Sequence, residues 1–62
     1  MEPVSIVQYR DGFDAGFPVG EEDGAKGVFC TADDLIGKES PYSPREAGII
    51  FGYREGHGSV LK

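Results

Sequence analysis

Few side chains in this sequence have the type and spacing for covalent chemistry. Cys30 is the one cysteine and His57 the one histidine, and they stand far apart in the chain. A Cys–His pair can activate a thiol. No glycine-rich elbow surrounds Cys30, however, and a reactive thiol needs an electropositive setting. Beside Phe29, Cys30 reads as a small buried hydrophobe. His57, between Gly56 and Gly58, reads as a solvated side chain just past a helix C-terminus. Asp11, Asp14, Glu21, Glu22 and Asp23 crowd one stretch, but not at the alternate positions of a calcium loop. They read as a solvated acidic face. Neither a dinucleotide nor a P-loop glycine signature is present. The expectation is a protein that is not an enzyme, with no catalytic residue, metal or cofactor.

Recognition chemistry is better supplied. Arg10 and Arg54 offer planar forks for carboxylate or phosphate. The aromatic residues are Tyr9, Phe13, Phe17, Phe29, Tyr42, Phe51 and Tyr53, more than a thin core can hold. Aromatic residues and arginine are the usual anchors of an interface. Tyr9, Arg10, Phe13, Phe17, Tyr53 and Arg54 therefore form the expected partner-binding set.

The elements that position these residues are punctuated by glycine, which supplies 10 of the 62 residues. Gly12, Gly16, Gly20 and Gly24 recur at intervals of four, as do Gly48, Gly52 and Gly56. On a helix this spacing makes a bare ridge that another backbone can approach. Each interior glycine costs a helix roughly 1 kcal/mol, and Pro18 would break a helix through the first run. Most of these glycines therefore read as turns and caps. Gly48 and Gly52, next to Ile49, are the exception and form an expected self-association face, packed against another subunit or the first glycine segment. Tyr9-Arg10-Asp11-Gly12 recurs as Tyr53-Arg54-Glu55-Gly56, too briefly to demonstrate a duplication.

Ser43-Pro44-Arg45-Glu46 is a capping box with proline at the first helical position. It predicts a helix from Pro44 to about Glu55, with Ala47, Ile49, Ile50, Phe51 and Tyr53 on its apolar arc and Gly56 ending it in a left-handed conformation. Thr31 caps a second helix, from Ala32 to about Lys38, whose first turn carries Asp33 and Asp34. Residues 39–42 form a turn before Pro41. The first thirty residues are ambiguous. Ile6, Tyr9, Phe13 and Phe17 recur at helical spacing. Val4, Ile6 and Val7 are β-branched and favour a strand over Val4–Tyr9. The strand is preferred, with a brief helix from Pro18 and an apolar segment, Gly27–Cys30, pairing with the strand. The fold class is α+β: one domain over residues 1–62, with a short N-terminal β-hairpin or irregular layer followed by helices at about 32–38 and 44–55.

Thr31, Ala32, Asp34, Leu35, Pro44, Arg45 and Ala47 are similar, without a gap, to the N-terminal region of phage antirepressors of the BRO type. Glu39, Ser40 and Pro41 depart from that family's Leu-Gly-aromatic turn. The resemblance implies a phage regulatory protein linked to DNA.

A domain of this length buries a thin core, and with one cysteine it gains no internal disulfide. Added stability would come from self-association or docking. No signal peptide or membrane-length apolar run is evident, so the expected compartment is the cytoplasm. The expected function is a small acidic protein-binding regulator or inhibitor, phage- or bacterial-type, that occludes a site on a larger host protein. The alternatives are a DNA-associated antirepressor-like regulator and an oligomer that binds a small anionic ligand. A formal charge of −5 repels phosphate backbones. Random duplex DNA should therefore show no measurable gel shift at physiological salt, and micromolar affinity there would favour the antirepressor alternative.

Overall fold

The computed structural model describes residues 4–60 and contains three helices: α1 (Val4–Lys26), α2 (Ala32–Ile36) and α3 (Pro44–Val60). There is no strand among the described residues. The expected α+β class is thereby corrected to an all-helical fold. Val4–Tyr9 forms the first turns of α1 rather than a strand. Pro18 lies inside α1 rather than starting a helix. Its missing N–H leaves the Asp14 carbonyl without a helical donor. Both residues are exposed, so solvent can serve that carbonyl. Gly27–Cys30 does not pair as a strand; it leads from α1 into a connector.

Helix is chosen because it aligns the glycines. A Cβ placed at Gly12, Gly16, Gly20, Gly24, Gly48, Gly52 or Gly56 would fall within 3.0 Å of a backbone atom of the opposite helix. Gly12 faces Arg45 and Ile49, Gly20 faces Tyr53 and His57, and Gly24 faces His57 and Val60. In return, Gly48 faces Tyr9 and Phe13, and Gly56 faces Phe17. Residue numbers rise together along both helices, so α1 and α3 run parallel. Each set of glycines is buried against the other helix's main chain. At all seven positions the atom met first is a carbonyl oxygen, an arrangement that lets a glycine Cα–H approach it. β-Branched propensity at Val4, Ile6 and Val7 is worth less than this packing, which only a helical backbone provides.

Parallel helices require a connector that runs back along their length. Residues 27–43 do this, and at ~3.3 Å per residue they have slack for a short helix between. Gly27 leaves α1 at φ 72°. Thr31 caps α2 as expected, its Oγ1 accepting from the Asp34 N–H at 3.2 Å. α2 stops at Ile36, short of Lys38, because Gly37 adopts a left-handed φ of 81°. α2 packs against α3. Residues 39–42 pass through a cis Ser40–Pro41 peptide bond. The capping box at α3 forms reciprocally: Ser43 N–H donates to Glu46 Oε1 at 2.8 Å and Glu46 N–H to Ser43 Oγ at 3.2 Å. Lys38 Nζ lies 2.8 Å from the same carboxylate. Lys38, then the Ser43 N–H, hold the Glu46 carboxyl down to about 2. Tyr42 donates to Asp33 Oδ1 at 2.6 Å, tying the connector across itself. α3 continues past Glu55 to Val60, since Gly56 is a helical ridge position and not a left-handed cap.

The helix pair and its connector form a thin molecule with principal Cα extents of 38 × 25 × 13 Å. The large hydrophobic residues it buries fully, among those described, are Ile50 and Tyr53.

The glycines divide into testable groups. Gly52→Ala would drive a Cβ into the Phe13 main chain. It should cost at least about 3 kcal/mol or unfold the chain, because a backbone cannot yield as a side chain does. Gly58 lies in α3 with nothing within 4 Å of its Cβ position. Gly58→Ala should stabilise by about 0.5–1 kcal/mol. Denaturant melts of the two variants should move in opposite directions; a Gly52→Ala protein as stable as the parent would contradict the ridge.

Candidate functional site

A helical residue one position after a ridge glycine and one position before it lie on opposite sides of that ridge. In a parallel pair, the residues that follow the α1 glycines share a side with those that precede the α3 glycines. Tyr9, Phe13, Phe17 and Glu21 of α1 therefore lie on one broad face with Ala47, Phe51 and Glu55 of α3. Ile49, Tyr53 and His57 lie on the other, with Asp23.

The connector covers the second face. The Cys30 N–H donates to the Tyr53 hydroxyl at 2.9 Å, and that hydroxyl donates to Asp23 Oδ2 at 2.5 Å. The Cys30 thiol points at the same carboxylate oxygen from 3.6 Å. A carbonyl can only accept, so His57 Nε2 carries a proton and donates to Val28 O at 2.7 Å. The Phe29 ring stands edge-on to His57 at 4.9 Å and to Tyr53 at 5.5 Å. Tyr53 is 1% exposed. Burial, then the bond to Asp23, push its hydroxyl up to about 12. This cluster latches the start of the connector to both helices. His57 is part of the latch rather than the solvated side chain past a helix end that its glycine neighbours suggest.

The first face carries no connector. Tyr9 and Phe13 rings lie 6.4 Å apart, Phe13 and Phe17 6.1 Å, and Tyr9 meets Phe51 across the helix pair at 6.3 Å. The Arg54 guanidinium sits 5.9 Å from the Phe51 ring centre. Phe51 is 48% exposed and Tyr9 36%. A contiguous aromatic row therefore spans both helices, with Tyr9 and Phe51 exposed and Phe13 and Phe17 half-buried, and with the exposed Glu21 and Glu55 at its C-terminal end.

The expected partner-binding set divides between the faces. Tyr9, Phe13 and Phe17 come together on the open face, and Arg54 reaches it through Phe51. Arg10 is exposed on α1 and has an interaction of its own. Tyr53 is held on the other face as a buried, fully hydrogen-bonded residue. Phe51 completes the row, whereas the sequence marks it only as part of an apolar arc; its place directly before Gly52 is the available signal. Gly48, Gly52 and Ile49, expected to form a self-association face, lie where α1 of the same chain packs. Among the described residues there is no group of acidic, His and Cys side chains arranged for a metal ion, and no helix is long and apolar enough to cross a membrane.

No family model, curated protein or solved structure matches the chain.

The latch has a pH signature. Tyr53 titrates near 10 when unfolded and about 12 when folded. Its contribution is fully present below pH 10 and is lost as pH rises toward 12. Tyr53→Phe removes the Tyr53 share of that alkaline loss and leaves the share of Tyr42, whose hydroxyl the bond to Asp33 also pushes up to about 12. It also leaves the Cys30 N–H and Asp23 without their partner, at a cost of about 1–3 kcal/mol near neutral pH. Urea melts at neutral and alkaline pH check both effects; an unchanged alkaline loss in the variant would contradict the latch.

Proposed function

We propose that the protein is a protein-binding regulator that acts by covering a site on a larger partner with its open aromatic face. The observation that carries this reading is the contrast between the two faces. One is covered by the chain's own connector, and the other holds a continuous aromatic row in which Tyr9 and Phe51 are exposed and Phe13 and Phe17 half-buried. Rigid helices fix these rings in place, so docking requires little ordering of the anchors. Glu21 and Glu55 favour a partner with a basic rim beside an apolar site. The occlusion mechanism needs no catalytic group: the slab is thin, and its area excludes other ligands from whatever it covers.

The test is capture from the host lysate with the tethered chain, read by mass spectrometry. A specific protein should be retained by the parent and by Asp14→Asn, and lost with Phe51→Asp or Phe13→Asp. Capture unaffected by both aromatic variants would overturn the reading. Retention of duplex DNA in place of a protein would favour the antirepressor-like alternative.

A further inference from the structure

In a parallel helix pair, the two broad faces are related by a two-fold axis along the helices. That axis relates Gly16 to Gly52, and so Phe17, the residue after Gly16, to Tyr53, the residue after Gly52. Phe17 looks out of one face and Tyr53 out of the other. The chain covers Tyr53 with Phe29 and the Cys30 backbone. It supplies no counterpart over Tyr9, Phe13, Phe17 and Phe51 among the described residues. One half of a pseudo-symmetric layer has been given its cover and the other has not.

Resting on the reading that the open face is a docking surface, we propose that in the free protein this face is covered by the same face of a second copy. The two-fold axis lies in the plane of the interface and runs across the helices, so that helices of the two copies run antiparallel, and the larger partner binds by displacing the second copy. Two observations select this occupant. Stable helical domains pack layer on layer, and the connector lies over only one broad face of the helix pair, so a second copy supplies the layer that the aromatic face lacks. The face is also electrically polarised. Its C-terminal end carries Glu21 and Glu55 together with both helix C-termini, set against one cation, Arg54, beside Phe51. Its N-terminal end carries both helix N-termini, with Arg10 on the adjoining side of α1. An antiparallel two-fold sets unlike ends against each other, whereas a parallel one would set Glu21 and Glu55 against their own copies. The interface is isologous and closes at two copies.

Sedimentation equilibrium of the chain over a wide concentration range tests the proposal. The expected mass is twice the 6.7 kDa of one chain. Phe51→Asp should be monomeric while keeping its helical circular dichroism. If that variant unfolds, Phe51→Ser gives the readout instead, as a dimer dissociation constant raised roughly tenfold or more. Replacing Glu21 and Glu55 together by Lys should weaken the dimer severalfold by reversing one end of the antiparallel match. A monomer at every concentration overturns the proposal. So does a dimer that survives the Phe51 substitutions, or one that the Lys pair strengthens. Lysate capture separates this from the reading above. A monomeric parent that loses capture with Phe51→Asp keeps the docking surface and removes the second copy. A dimer broken by Phe51→Asp, with capture unchanged, keeps the second copy and removes the larger partner from this face.

Discussion

A main-chain atom of the opposite helix occupies the Cβ position of each of the seven spaced glycines, and the rest of the molecule follows from that contact. Interior glycines cost a helix roughly 1 kcal/mol each, so neither helix is favoured alone. Packed together, they bring two backbones to a separation that no other residue allows. Stability is thereby shifted from side-chain burial to backbone proximity. This accounts for a fold whose fully buried large side chains, among those described, are Ile50 and Tyr53.

Close parallel packing then dictates the connector. Because α1 and α3 point the same way, residues 27–43 must return along the pair, and they can lie over only one broad face. The Tyr53–Asp23–Cys30 bonds and the Phe29 ring fasten them there. The same event that completes one face leaves the other bare. An aromatic row that the connector does not cover is thus a consequence of topology, not of a few misplaced hydrophobic residues. The proposed function uses the face that the chain's own connector cannot reach.

The parts of this fold legible in the sequence are those written in local hydrogen-bond chemistry. Ser43 and Glu46 announce the start of α3, and Thr31 that of α2, because capping depends on residues within one turn. The first thirty residues mislead because local propensity and tertiary packing disagree there. Val4, Ile6 and Val7 prefer a strand by themselves, and Pro18 argues against a long helix, while the spacing of Ile6, Tyr9, Phe13 and Phe17 is that of the helix the chain forms. The glycine intervals are visible, but their meaning depends on a partner helix far along the chain. Treated singly, glycines suggest turns, as only Gly27 and Gly37 do by their positive φ. For the site, Tyr9, Phe13 and Phe17 are legible as a helical stripe. Which face Tyr53 occupies is not, because that follows from the parallel direction, and no residue type encodes direction.

The parallel direction of α1 and α3 underlies every later step, and nuclear Overhauser contacts between the helices test it most directly. A parallel pair places the Gly12 Cα protons near the Ile49 amide and those of Gly24 near Val60, with Gly48 near Phe13. Observation of these three contacts in one spectrum is the predicted result. Contacts that pair Gly12 with Val60 and Gly24 with Gly48 would show an antiparallel hairpin. That would contradict the shared ridge, the one-sided connector and the open aromatic face together.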